Sequence, residues 1–462
     1  MGYWQPAIAQ NAYKLGEDAL QREDYTQALK HFNNHLQNTS NQETGKTLTR
    51  LGYTYSQLGR YAEAMHAYQN ALRLMTSRQT ETITTQALLG LGYIAYRQGK
   101  FDNAIQLYTK VVEQGGTGLA EAHHNLGRIY AGRGNIEKAI AAQQQAITLD
   151  TDFSDAYYHL GTLYGRKQKW HKAIDAYQKS VTLEPLKPNA HYQLARCYRQ
   201  TGDTIQAEKA LHRFRALKKA DADIQKHSEA AFNANTANKA TALIKLAYTY
   251  LKYQRYEAAT QTFERAKQHN ISDIDSAQVS ASLGRIALEQ GNTKQAITHY
   301  KQAIQIGLQQ PETYHYLGIA YMQNKDGENA IKQFQKALSL NSDLQESHLL
   351  LGTLYATKRK FTTAEIHYQR AIALAPKMAA AYHGLAYLYG QHNQKLEKAT
   401  ELARKAARLS PQSATYHNTL SWLCYKVGKY DEAETAILKA IELSPDNTVY
   451  KEGLKEIQRQ KK

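Results

Sequence analysis

Apolar and small residues recur along most of the chain at the three-and-four spacing of amphipathic helices, two helices to a unit. Leu160, Gly161 and Tyr164 form one such stripe, and Trp170, Ala173, Ile174 and Tyr177 form the next. A leucine followed by a small residue marks each first helix: Leu51-Gly52, Leu91-Gly92, Leu126-Gly127, Leu160-Gly161 and Leu194-Ala195. The series resumes at Leu246-Ala247, Leu283-Gly284, Leu317-Gly318, Leu351-Gly352 and Leu385-Ala386. Twelve residues after the small position stands an alanine: Ala64, Ala104, Ala139, Ala173, Ala207, Ala259, Ala296, Ala330 and Ala364, with Gly16 and Ala28 at the same interval. Steps of 34 residues separate Gly127, Gly161 and Ala195, and again Gly284, Gly318, Gly352 and Ala386.

The small residues belong where two helices approach most closely, since a larger side chain there overpacks the contact at about 1–3 kcal/mol per site. Glycine-led turns at Gly59-Arg60, Gly99-Lys100, Gly134-Asn135, Gly202-Asp203, Gly291-Asn292 and Gly428-Lys429 supply left-handed helix ends. Pro185, Pro376, Pro411 and Pro445 close units where a helix must stop.

A period of 34 carried by these residues resembles the tetratricopeptide repeat. The resemblance implies an all-α, right-handed solenoid (a superhelix of stacked helix-turn-helix units) and covers nearly the whole chain. Twelve repeats start near Ala9, Gly45, Thr85, Ala120, Ser154, Pro188, Ala240, Ala277, Pro311, Gln345, Ala379 and Ala414. The first has His35 where alanine is usual, and the eleventh has one extra residue near Gln394–Leu396. The organisation expected is an N-terminal array over 1–221, a spacer or extra helix over 222–239, a C-terminal array over 240–447 and a capping helix over 448–462. Lys451, Lys455, Arg459, Lys461 and Lys462 give that cap the polar outer face a solenoid end needs. Two insertions break the rhythm: Gln79–Thr84, read as an extended helix end, and the polar Ala222–Lys239, read as a packed helix or a hinge.

Composition narrows the possible roles. No stretch approaches the ~20 apolar residues of a membrane span. The start, Met1-Gly2-Tyr3-Trp4-Gln5-Pro6, has no signal core, and Pro6 stands where a myristoylation signal wants Ser or Thr. The expectation is a soluble, unanchored protein of the cytoplasm, or of the periplasm if a signal peptide has been removed. Cys197 and Cys424 are too far apart in sequence for a disulfide framework and read as core residues. Against 41 acidic residues stand 58 Lys and Arg, a net +17 spread without a basic block, which favours acidic partners or anionic surfaces.

Catalytic patterns are missing. Gly127-Arg128-Ile129-Tyr130-Ala131-Gly132 lacks the Lys-Ser/Thr of a phosphate loop. His31 and His35 have ligand spacing without a zincin glutamate, and His123-His124 are neighbours that point apart on a helix. The other histidines fall at surface-type positions. Neither enzyme, cofactor, metal nor nucleic-acid module is expected.

The resemblance places partner contacts near positions 2, 5, 9, 12 and 13 of each unit, on the first helices. For repeats two to six these are Lys46, Thr49, Tyr53, Ser56, Gln57; Gln86, Leu89, Tyr93, Tyr96, Arg97; Glu121, His124, Arg128, Ala131, Gly132; Asp155, Tyr158, Thr162, Gly165, Arg166; and Asn189, Tyr192, Arg196, Arg199, Gln200. Six of these 25 are Lys or Arg, where the chain's 58 in 462 would give about three. Five are Tyr, where its 34 would give about two. Guanidiniums pair bidentately with carboxylates, and tyrosines offer rigid contact area. The candidate site is therefore Tyr53, Tyr93, Arg97, His124, Arg128, Tyr158, Arg166, Tyr192, Arg196 and Arg199, for an extended acidic or aromatic-bearing protein or peptide segment. Equivalent positions of later repeats, including Tyr248, Lys252, Arg285, His315, Ile319, Met322, Leu349, Tyr387, Trp422 and Tyr425, are more apolar and suit a second protein. The function implied is a non-catalytic protein–protein scaffold. A periplasmic array assisting polysaccharide export and the non-catalytic arm of a larger enzyme complex are the other readings.

Overall fold

A computed structural model describes residues 5–21, 24–37, 41–74 and 81–461. Among the described residues every regular element is a helix, and the helices follow one another as hairpins. They form two compact units, Met1–Gln225 and Lys226–Lys462.

The first unit contains α1 (Gln5–Gln21) with α2 (Tyr25–Leu36), α3 (Asn41–Gln57) with α4 (Tyr61–Leu74), and α5 (Glu81–Arg97) with α6 (Phe101–Gln114). It continues with α7 (Leu119–Gly132) and α8 (Ile136–Leu149), α9 (Ser154–Arg166) and α10 (Trp170–Leu183), then α11 (Pro188–Thr201) and most of α12 (Thr204–Asn233). The second unit holds α13 (Lys239–Lys252) with α14 (Tyr256–Lys267), α15 (Asp273–Glu289) with α16 (Thr293–Ile306), and α17 (Pro311–Gln323) with α18 (Gly327–Leu340). After these come α19 (Gln345–Thr357) and α20 (Phe361–Leu374), α21 (Ala379–Gln391) and α22 (Leu396–Leu409), α23 (Ala414–Lys426) and α24 (Tyr430–Leu443), and last α25 (Thr448–Gln460). Within each unit a helix packs mainly on its hairpin partner and on the next helix. First helices also touch the next first helix, as α3 touches α5 and α19 touches α21. This is an α-solenoid.

The repeating alanines do what their interval requires. Ala28, Ala64, Ala104, Ala139, Ala173, Ala259, Ala296, Ala330 and Ala364 are completely buried. In seven repeats the glycine of the first helix has a specific partner sixteen positions on, a ring of the second helix. A Cβ on Gly52 would lie 2.7 Å from the Tyr68 ring, and one on Gly161 2.9 Å from Tyr177. Gly92 meets Tyr108, Gly318 meets Phe334 and Gly352 meets Tyr368 in the same way. The glycine is thus a seat for an aromatic ring, and each ring is the core of its own repeat.

The six glycine turns have the left-handed φ their chemistry allows, as at Gly59 (φ +73°) and Gly202 (φ +82°). Equivalent corners in other repeats take the same conformation without glycine, at Gln168, Gln254, Lys325, Arg359 and Asn393. Cys197 and Cys424 are buried free thiols.

Ala222–Asn233 is not a separate helix, because it continues α12, and only residues 234–238 lie between α12 and α13. Ala231 is buried while Phe232 is 84% exposed. The Lys239 ammonium donates to the carbonyls of Ala231 and Phe232, at 2.7 and 3.2 Å. Of the shorter insertion, residues 81–84 begin α5, and Gln79 and Thr80 lie outside the described residues, as do Met1–Trp4 and Lys462. The terminal helix α25 buries Tyr450 and Ile457, and Lys461 pairs with Asp431 and Glu434 at 2.6 and 2.7 Å.

Candidate partner-binding grooves

In the first unit, first helices α3, α5, α7 and α9 wall two adjoining clefts. One, of about 370 Å³, is lined by Thr49, Tyr53 and Gln57 of α3, Gln86 and Tyr93 of α5, and Glu121 of α7, among others. The other, of about 600 Å³, is bounded by Tyr93, Glu121, His124, Asn125, Arg128, Asp150, Phe153 and Asp155, among others. Tyr93 and Glu121 belong to both.

Tyr53 is exposed, and Tyr93 is half-buried with its hydroxyl accepting from Arg97 Nη1 at 3.0 Å. Arg97 itself lies about 6 Å from the Tyr61 and Tyr93 ring centres, at 6.0 and 5.8 Å. The Arg128 guanidinium covers the Tyr96 ring at 4.9 Å and donates to Asn125 Oδ1 at 3.3 Å. Arg166 donates to the Ala131 carbonyl near the end of α7 (3.2 Å), and Arg196 to Gln193 Oε1 (3.1 Å). Arg199 is exposed; Tyr192 is 41% exposed and packs on Phe214. Tyr158 is half-buried against Tyr177, under the Lys187 ammonium.

Other cations in this unit meet carboxylates: Arg50 with Glu17 (2.9 Å), Arg133 with Asp102 (2.8 Å), Lys167 with Glu137 and Lys187 with Asp155. Burial opposes ionisation of Asp155, but the Lys187 ammonium overrides it and holds the carboxyl below its ordinary range. Among the described residues, Arg97, Arg128, Arg166, Arg196 and Arg199 pair with no carboxylate.

His124 is a correction. The repeat register predicts an exposed contact, whereas its ring is buried. Its Nδ1–H donates to Gln143 Oε1 at 2.9 Å, and Gln143 Nε2 returns a bond to the His124 carbonyl at 3.0 Å. Phe153 and His159 close over the ring, with centroids 4.9 and 5.1 Å away. Desolvation pushes the pKa of His124 down to about 4, so the imidazole is neutral at pH 7. Thr49, Ser56 and Leu89 are buried as well, because short or apolar side chains at these positions form the cleft floor.

The histidines in general are less superficial than their sequence positions imply. His191, His348 and His417 each use Nε2 to hold the carbonyl six residues earlier, at Pro185, Ser342 and Pro411, with 3.0–3.1 Å spacing. Tyr382 does the same for Pro376 at 3.2 Å. These side chains, at the fourth position of their repeats, tie the inter-repeat turn to the helix it precedes. No sequence signal short of aligning the repeats on that turn would have shown this.

In the second unit α19 and α21 bound a cleft of about 860 Å³, lined by Leu349, Leu350, Phe361, Tyr368, His383 and Tyr387 with others. Tyr387 leads on to Trp422 (centroids 5.7 Å), and His383 to Tyr416 (4.7 Å). Lys426 covers Trp422 at 4.6 Å while donating to the Gly390 carbonyl. Of the sequence-predicted face, Leu349 and Tyr387 line this cleft, whereas Tyr248 and Arg285 stand exposed on earlier first helices.

Comparison with known families agrees with this geometry. Families described as tetratricopeptide repeat match residues 7–77, 83–152, 154–185, 176–209, 311–344, 349–414 and 414–447, and one described as TPR repeat matches 284–325. The chain belongs to the tetratricopeptide repeat family. It is similar in fold to solved structures at low identity. The APC/C hetero-tetramer Cut9–Hcn1 is 15% identical with 97% of this chain and 96% of that one covered, at a TM-score of 0.42. Yeast Tom70 is 16% identical over 99% and 96%, TM-score 0.36. MamA from Desulfovibrio magneticus RS-1 is 24% identical over 38% of this chain and 98% of its own, TM-score 0.35. No curated protein matches the sequence. Among the described residues no helix is long and apolar enough to cross a membrane.

Proposed function

We propose that the protein is a non-catalytic scaffold whose N-terminal array, residues 1–221, holds an extended acidic segment of a partner protein against its first helices. Arg97, Arg128, Arg166, Arg196 and Arg199 meet the acidic groups, and Tyr53, Tyr93, Tyr158 and Tyr192 supply contact area. The observation that carries this reading is that, among the described residues, none of these five guanidiniums pairs with a carboxylate, while Arg50, Arg133, Lys167 and Lys187 of the same unit do. The hydrogen bonds of Arg97, Arg128, Arg166 and Arg196 go to neutral oxygens, which leaves most of each five-donor fork open. His124 serves this surface from beneath as structure. The aromatic cleft of the second unit, with Tyr387 at its rim and Trp422 beside it, supports a second partner on the array over 240–447.

Panning random displayed dodecapeptides on the full chain tests the reading. It predicts recovered peptides rich in Asp and Glu whose binding weakens as salt rises. Recovery of neutral or apolar peptides alone, insensitive to salt, would overturn it.

A further inference from the structure

Glu121 is one of three carboxylates, with Asp150 and Asp155, that line the second cleft beside Arg128. It is a carboxylate shared by both adjoining clefts of the first unit, and among the described residues no cation or hydrogen-bond donor engages it. Of the other carboxylates lining the second cleft, Asp155 pairs with Lys187, and Asp150 accepts from the Asp152 backbone N–H at 3.0 Å. Arg50 lines one of the same clefts but is committed to Glu17 at 2.9 Å, and Arg128, two helical turns further along α7, lies over Tyr96. Tyr53 and Tyr93 line the first cleft together with Glu121, and Tyr93 the second.

We infer that Glu121 is a specificity-determining anchor for a cationic side chain, Lys or Arg, of the bound segment. Resting on the groove reading above, this makes the partner mixed in charge, with one basic residue seated at Glu121 and acidic residues to either side. A carboxylate flanked by tyrosine rings attracts an ammonium or guanidinium through ion pairing and ring electrostatics together. Its place in the first turn of α7 favours a negative charge there, but that interaction with the helix end leaves both carboxylate oxygens free for an incoming donor. Desolvation by the cleft walls raises the Glu121 pKa, although the residue is exposed and open to an incoming donor.

The experiment uses the full chain and the peptides recovered by dodecapeptide panning, compared with E121Q and E121K. The inference predicts that recovered peptides carry Lys or Arg among their acidic residues. E121Q should weaken them at least tenfold at an unchanged melting temperature, and alanine in place of the peptide's basic residue should cancel that difference. Panning on E121K should return peptides without a basic residue. If acidic peptides lacking Lys and Arg are recovered and bind E121Q as well as or better than the parent, the inference falls and the groove reading stands. If recovered peptides are indifferent both to E121Q and to R128A with R196A, both fall.

Discussion

The buried imidazole of His124 donates to the side-chain oxygen of Gln143, 2.9 Å away, in the one hairpin where Gly127 seats an amide instead of a ring. Tyr68, Tyr108, Tyr177, Tyr300 and Tyr368 or the phenylalanines Phe32 and Phe334 occupy the equivalent place above the other first-helix glycines. Gln143 is completely buried and satisfies both the ring and the carbonyl of His124. Replacing it with leucine keeps the volume and strands two buried polar groups. The expected loss is about 1–3 kcal/mol, read as a lowered thermal midpoint. A midpoint equal to the parent's would show that the pair contributes nothing.

Acid should unfold the protein earlier than its carboxylates alone would require. His124, His159 and His367 are held down to about 4 by desolvation, against about 6.5 in an unfolded chain. A group whose folded pKa is depressed binds its proton more readily when unfolded. Its contribution is complete above pH 6.5 and lost as pH falls from there toward 4. For the buried His124 the difference corresponds to roughly 3 kcal/mol at most. Melting temperatures followed from pH 7.5 to 4.5 should fall steadily below pH 6.5. A flat profile over that range would contradict the neutral, buried state of these rings.

Packing should outweigh surface chemistry in stability. Gly161→Leu drives a side chain into the Tyr177 ring and should cost about 1–3 kcal/mol or more, whereas Arg199→Ala should stay within about 0.5 kcal/mol. The comparison needs only two melting curves, and equal midpoints would remove the ring-seat account of the repeat.

The repeat was legible because its determinants are spacing and size. An alanine or glycine at a fixed interval reports a close helix approach whatever surrounds it, so the hairpins and the left-handed glycine corners follow from the residues alone. The corners at Gln168 and Arg359 were not visible, since nothing in those side chains marks a positive φ. Exposure at the candidate positions was legible in part: Tyr53, Arg97 and Arg196 face outward as their positions imply. His124 failed because position within a helix fixes direction, while burial depends on what the next hairpin brings, here Phe153 and His159. The partner of Gly127 was also hidden, because only repeat alignment sixteen residues on exposes Gln143 as an amide among rings.

Limited proteolysis should find residues 234–238 first, since they lie between two helices and follow the exposed Phe232. Brief chymotrypsin treatment should cut after Phe232, beside this segment, and give two fragments. A ladder from the inter-repeat turns, with this segment intact, would remove the proposed division into arrays over 1–221 and 240–447.

Whether the groove arginines hold an acidic segment is read from isothermal titration of a panned acidic peptide against the parent and the double variant Arg128→Ala, Arg196→Ala. Charge-assisted contacts contribute about 1.5–3 kcal/mol each when desolvated and less when exposed, so losing two should weaken binding at least about tenfold. The melting temperature should not change, because neither guanidinium pairs with a carboxylate of the fold. Equal affinity for parent and double variant would contradict the account.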